Sequence, residues 1–199
     1  MKIIGLTGGI GTGKSTVSRF LAELGAVIIS ADAVGHEAYQ AGTEGWRKVV
    51  AAFGKQVLTP IGDIDRKKLG ELVFKDAAAR VRLNAIMHPR MHDMILARIE
   101  ELRKQGVRVV VLESPLLVEA GWLPMVDEVW VTVASESTVL YRLKDRSGLS
   151  ESETLARIRS QLSTDERLKY ADVVINTDCT LDELNNKVRE LWHRLILDT

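Results

Sequence analysis

Gly8-Gly9-Ile10-Gly11-Thr12-Gly13-Lys14-Ser15 reads GxxxxGK[ST] and lies between an apolar run, Ile3-Ile4-Gly5-Leu6, and a helical pattern from Ser18 to Leu24. A strand, a glycine-rich turn and a helix in that order make a phosphate-binding loop. Glycines let successive backbone N–H groups turn toward one point without Cβ clashes, and the following helix adds its positive N-terminal end there. Lys14 is then expected to reach the β- and γ-phosphates of a nucleotide, and the Ser15 hydroxyl to help hold Mg2+.

The rest of the chain fits one α/β domain. Its 199 residues, 46% hydrophobic and 27% charged, suffice for a normal core. Lys plus Arg equals Asp plus Glu at 27 each, so no global field drives the chain onto nucleic acid or an anionic membrane, and any anion site must be local. Cys179 is the single cysteine. It excludes an internal disulfide and a cysteine-based metal cluster, and fits a reducing compartment. No apolar run reaches the roughly 18 residues of a membrane span, and the N-terminus enters a strand almost at once, so the expected location is the cytoplasm. No pattern fixes an oligomeric state.

Apolar runs at Lys2 to Leu6, Val27 to Ile29, Val107 to Leu112, Glu128 to Val133 and Val173 to Ile175 alternate with helical stretches. This predicts a five-stranded parallel sheet with helices on both faces. Residues 33–105 form a crossover too long for a connection and are expected to be an inserted helical subdomain, with breaks near Gly42 to Gly45, Gly54 to Asp65 and His88-Pro89. Pro89 suits the first turn of a new helix. Residues 135–167, arginine-rich and helical, resemble a lid. Leu181, Leu184, Val188, Leu191 and Leu195 have helical spacing and read as core packing.

Several side chains could carry chemistry. Asp32 follows the second strand, where ligands of open α/β sheets sit, and is a candidate base for an acceptor hydroxyl; it is equally a candidate helix cap. Glu113 ends the third strand, positioned for a water-mediated Mg2+ contact or simply for solvation. Arg142 and Arg146 share one helix face and suit a polyphosphate, unless that face is merely solvated. His88, alone, reads as a cap or packed residue. Two classes compete: a metabolite kinase and a nucleotide-dependent switch or motor. No NKxD guanine signature follows the loop, and the strand where a motor would show Asp-Glu ends Leu112-Glu113-Ser114. A kinase for a small acceptor is favoured.

Leu6 to Thr16, Ala31-Asp32, Gly62-Asp63-Ile64-Asp65-Arg66, Ile86-Met87-His88-Pro89, Pro115-Leu116-Leu117-Val118-Glu119, Arg142 through Arg146 to Gln161, and Ala171 to Asn176 together resemble the dephospho-coenzyme A kinase family along nearly the whole chain. The resemblance implies a P-loop fold of the nucleotide-kinase type, and transfer of the ATP γ-phosphoryl group to the ribose 3′-hydroxyl of dephospho-coenzyme A with Mg2+. It implies ATP contacts from Gly9, Ile10, Gly11, Thr12, Gly13, Lys14, Ser15, Thr16, Arg146 and Asn176. Asp32, Lys14 and Arg142 become the catalytic set, and Thr7, Asp32, Asp65, Arg66, His88 and Leu116 the acceptor side. Metal contacts fall to Ser15 and Glu113. The chain departs from the family pattern at Ser30, where Asp is common, at Glu113-Ser114, where Asp-Val is common, and at Thr177-Asp178, where Asn-Gly is usual. A nucleoside or nucleotide kinase is the nearest enzymatic alternative.

Overall fold

The computed structural model describes residues 1–147, 155, 156 and 158–197. The chain divides into two compact units, residues 1–29 with 101–199, and residues 30–100. The first unit is built on β1 (Lys2–Gly8), β2 (Val27–Ser30), β3 (Val109–Glu113), β4 (Glu128–Val133) and β5 (Val173–Asn176), in spatial order β2-β3-β1-β4-β5. Central β1 pairs parallel with β3 and β4, and β4 pairs parallel with β5. This is the expected five-stranded parallel sheet.

Alternation along β1 assigns each face. Ile4 and Leu6 join Val109, Val111, Trp130 and Ile175 on one face, where α1 (Lys14–Glu23) contributes Val17 and Leu21, and α8 (Leu181–Leu197) contributes Leu184 and Val188. On the opposite face a Cβ at Gly5 would lie 2.6 Å from Leu117 Cδ2, so glycine here lets the segment after β3 pack closely without Leu117 shifting. The short α7 (Thr164–Leu168) lies against β4. Central strands are buried along nearly their whole length, but β5, at the sheet edge, alternates buried Val173 and Ile175 with exposed Val174 and Asn176. Within residues 135–167, α6 (Glu136–Ser147) follows β4; residues 148–154, Arg157 and the Arg146 side chain lie outside the described residues.

The second unit contains α2 (Ala31–Ala38), α3 (Glu44–Phe53), α4 (Arg66–Lys75) and most of α5 (Ala77–Lys104). Val49, Phe53, Val57, Ile64, Leu69 and Met87 give it a core of its own. Each helix starts where the sequence supplies an oxygen: Ser30 accepts from Ala33 N, Thr43 from Trp46 N, and Asp65 from Lys67 N and Lys68 N. Trp46 Nε1 donates to Gly62 O at 2.8 Å and ties α3 to the turn before α4.

Pro89 is not at a helix start. It lies inside the 28-residue α5, which runs through the His88-Pro89 pair without a break. Proline removes one donor and costs about 3 kcal/mol relative to alanine in a helix interior. Contacts on both sides of it offset that cost: Met87 is buried in the second unit's core, Arg90 Nε donates to Ala38 O at 3.1 Å, and Arg98 pairs with Glu37. Local chemistry predicted a boundary that tertiary packing overrides. Among the described residues no helix is long and apolar enough to cross a membrane.

Pro89→Ala is therefore expected to raise stability by about 1–3 kcal/mol, restoring the bond to Ala85 O. At about 2–4 °C per kcal/mol for a chain of this size, a thermal melt should show a clear rise in Tm. A fall in Tm would mean that the ring itself packs productively.

Candidate active site

The phosphate loop leaves β1 at Gly8, which pairs in register with Thr132 of β4. A Cβ at Gly8 would fall 2.2 Å from Thr132 Oγ1 and 2.7 Å from the Thr132 carbonyl oxygen, so the motif's first glycine is demanded by contact with the sheet. Thr132 is the one hydroxyl in the β4 segment, fully buried, and it hydrogen-bonds Thr12 Oγ1 at 2.8 Å; Thr12 in turn reaches Gly9 O at 2.8 Å. Gly13 adopts φ +85 and caps α1 with no side-chain bond, and the first turn of α1 holds no acidic residue. Its orphan amides and positive dipole end are thus directed at the space framed by the loop, which favours an anion. Lys14 Nζ donates to Gly8 O at 2.9 Å and Gly9 O at 3.1 Å, so the ammonium lies at the first limb of the loop.

A second limb, Gly11 and Gly13, borders a cavity of about 260 Å3 shared with Tyr141, Arg142, Cys179 and Leu181. Thr177 organises this side. Its buried hydroxyl sits 3.0 Å from Thr12 O and 3.2 Å from Val133 O, and accepts from Arg142 Nη1 at 2.9 Å. Arg142 Nη1 also donates to Gly11 O at 3.2 Å, and Nη2 donates to Thr177 O at 2.7 Å. Arg142 is thus fastened to the loop's second limb and to the segment after β5. Hydrogen bonds from the Thr138 hydroxyl and from Ser135 hold the exposed Asp178 carboxyl below its ordinary range.

At the first limb, Gln161 Oε1 accepts from Ile10 N at 2.9 Å. Next to it, Arg167 is 1% exposed: Nη1 donates to Thr7 Oγ1 at 2.7 Å and Pro115 O at 2.6 Å, and Nη2 to Glu119 Oε1 at 3.3 Å and Leu162 O at 3.4 Å. Burial pushes its pKa below the usual arginine value, with Glu119 opposing the shift. Arginine remains a cation at neutral pH. Glu113 ends β3 opposite Leu6, one strand away from the loop's entry. Just after β3, the Leu116 amide bonds Ser114 Oγ at 3.2 Å.

The acceptor-side expectations fall mostly in the second unit. Ser30 caps α2, leaving Asp32 exposed in the first turn with its carboxylate unused for capping. The residue that departs from the family pattern has taken the cap, so the two readings of Asp32 come apart. His36, one turn on, meets Tyr39 edge-on at 6.0 Å. Burial, then Arg66, pulls the His36 pKa down while Asp32 opposes; burial pushes Tyr39 up. Asp65 serves as the α4 cap, and backbone donation from Lys68 is the main cause of its lowered pKa. His88 lies mid-helix in α5.

One expectation needs correction. Leu181 is not core: it is 62% exposed and lines the loop's cavity, because it opens α8 beside Cys179 while Leu184, Val188 and Leu195 turn inward. Asn176, expected on the ATP side, ends β5; its side chain accepts from Asp178 N at 2.8 Å and its carbonyl from Lys187 at 3.4 Å. Tyr141 and Thr132 escaped sequence reasoning, although a lone threonine in an apolar strand was a usable signal for Thr132, and Thr177 stood out in the sequence only as a departure from the family pattern.

The family model for dephospho-CoA kinase matches residues 2–183. The chain belongs to the dephospho-CoA kinase family. A dephospho-CoA kinase from Dehalococcoides mccartyi is 47% identical over 192 residues, covering 96% of each chain. Among solved structures, a dephospho-CoA kinase from Campylobacter jejuni is 29% identical with a TM-score of 0.73 over 98% of both chains. A Thermus thermophilus protein is 31% identical, with a TM-score of 0.80 over 98% of this chain and 97% of that one. The likeness to family members thus extends over the sheet, the loop and the helical unit alike.

Thr177→Val keeps the side chain's shape while removing the hydroxyl that joins Arg142 to the loop. Leaving buried partners unsatisfied costs about 1–3 kcal/mol, so urea unfolding should show a lower midpoint with an unchanged slope. An unaltered midpoint would mean that Arg142 is held adequately by its carbonyl contacts.

Proposed function

We propose that this chain catalyses the last step of coenzyme A synthesis, moving the γ-phosphoryl group of ATP to the ribose 3′-hydroxyl of dephospho-coenzyme A and releasing ADP. The observation that carries this reading is the side-chain-uncapped N-terminus of α1, wrapped by the glycine loop with Lys14, in a chain matched over residues 2–183 by the dephospho-CoA kinase family.

The loop amides between Gly9 and Thr16, other than that of Ile10, which Gln161 occupies, hold the polyphosphate, with Lys14 exchanging its carbonyl partners for β,γ-phosphate oxygens. The cavity beside Gly11 and Gly13 takes the nucleobase: Tyr141, Cys179 and Leu181 offer apolar contact, and the anchored Arg142 presents a flat cation at its edge. This moves Arg142 from the transferring phosphate toward the base. Arg146 remains our choice for a second phosphate contact. Asp32 accepts the proton of the attacking hydroxyl; its exposure and its freedom from capping duty support that role. Arg66, His88, Thr7 and Leu116 complete the acceptor side.

Ser15 and Glu113 are hard oxygen donors suited to Mg2+. Among the described residues no group of three or more His, Cys, Asp or Glu could hold a metal. Mg2+ usually keeps several waters and is bound through one or two protein ligands plus substrate phosphates. When bound, it would neutralise charge on the β- and γ-phosphate oxygens. The balanced net charge and single cysteine support a cytoplasmic enzyme with small-molecule partners only.

ADP release with Mg-ATP should appear with dephospho-coenzyme A and not with AMP, CMP, adenosine or water. Turnover with a nucleotide would replace the acceptor assignment; equal slow hydrolysis throughout would replace the kinase reading with a simple ATPase. Asp32→Asn is expected to lower kcat by about 10²–10⁴-fold with Tm unchanged, since Ser30 still caps the helix. Normal turnover would remove Asp32 from the chemistry.

A further inference from the structure

The first limb of the loop is contacted by Gln161, a residue of the 135–167 region to which no individual role has been given. Gln161 reaches it with one atom, Oε1, which accepts from Ile10 N at 2.9 Å and lies 3.7 Å from where a Gly9 Cβ would stand. Its neighbour Leu162 is fixed at both backbone groups: the amide donates to Glu119 Oε1 at 3.3 Å, and the carbonyl accepts from Arg167 Nη2 at 3.4 Å. Arg167 is itself buried against Thr7 and Pro115. Its Nε has no partner among the described residues, so the guanidinium is oriented by its two outer nitrogens. Gln161 is thus held on one side by the loop, while its neighbour Leu162 is held on the other by the Arg167–Glu119 pair.

A carboxamide with its oxygen spoken for carries its two remaining donors on Nε2, beside that oxygen. Lys14 Nζ occupies the same limb, bonded to Gly8 O and Gly9 O, whereas the cavity given above to the base adjoins Gly11 and Gly13 on the other limb. The Lys14 side is the terminal-phosphate side. We propose that Gln161 is a terminal-phosphate contact, its Oε1 anchored on the Ile10 amide and its Nε2 donating to an oxygen of the γ-phosphate. The inference rests on the ATP-binding part of the functional reading and not on the acceptor.

The two halves of the carboxamide can be separated. Gln161→Glu retains an acceptor for Ile10 N but turns the phosphate-facing donor into an anionic oxygen; Gln161→Met removes donor and acceptor at similar length without adding charge. Calorimetric titration of the full-length protein with Mg-ATP and with Mg-ADP, without acceptor, reads the terminal phosphate alone. In both variants the Kd for ATP should rise about tenfold, the scale of one charge-assisted hydrogen bond, while that for ADP stays within about twofold. Equal weakening of both nucleotides would reduce Gln161 to a loop support and overturn the proposal, as would unchanged affinity for both. Wild-type protein that binds neither nucleotide would overturn the functional reading along with it.

Discussion

At Gly8 the backbone of β1 passes so near Thr132 that no side chain fits between them, and the whole site depends on that approach. It fixes where the chain leaves the sheet, and hence where the amides of the loop and of α1 converge. Thr12 can then meet Thr132, and Thr177 can close over Gly13, whose own Cβ would lie 3.3 Å from the Thr177 side chain. A phosphate loop is often described as a flexible glycine stretch; here the glycines are places where neighbouring elements press in. Thr12, Thr132 and Thr177 supply those contacts.

Three threonines, Thr12, Thr132 and Thr177, form a buried polar seam between the loop, β4 and the segment after β5. Such groups lose favourable hydration on burial and remain stable only when bonded to one another. Because their partners come from distant parts of the chain, the seam selects one mutual arrangement of those parts and rejects slipped ones. Apolar packing of the sheet against α1 and α8 supplies the bulk of the cohesion; the seam supplies the register.

The sheet was legible because buried parallel strands leave long β-branched runs, and all five appear within a residue or two of their expected bounds. The loop was legible because its residue types are fixed by backbone geometry. Pro89 was misread: the helix boundary it announces locally is cancelled by Met87, Arg90 and the Arg98–Glu37 pair, none of which is near in sequence to its partner. Leu181 was misread because helical periodicity says which residues share a face but not where that face stops being covered. Thr177 and Gln161 matter through partners about 165 and 151 positions away, a separation no local pattern reports. Asp32 lay between these cases, since its identity suited both a cap and a base until Ser30 was seen to hold the cap.

The clamps on the loop have a thermodynamic consequence. Ile10, Gly11, Thr12 and Lys14 are each tied by groups of the protein itself. The conformational entropy of shaping the cradle is therefore lost during folding, when the hydrophobic core forms, and an incoming polyphosphate has little backbone left to order. Binding becomes mainly an exchange of partners, carbonyl oxygens and water for phosphate oxygens around Lys14. Such an exchange favours enthalpy-dominated association, and a cradle rigid enough to distinguish an oxygen a few tenths of an ångström out of place.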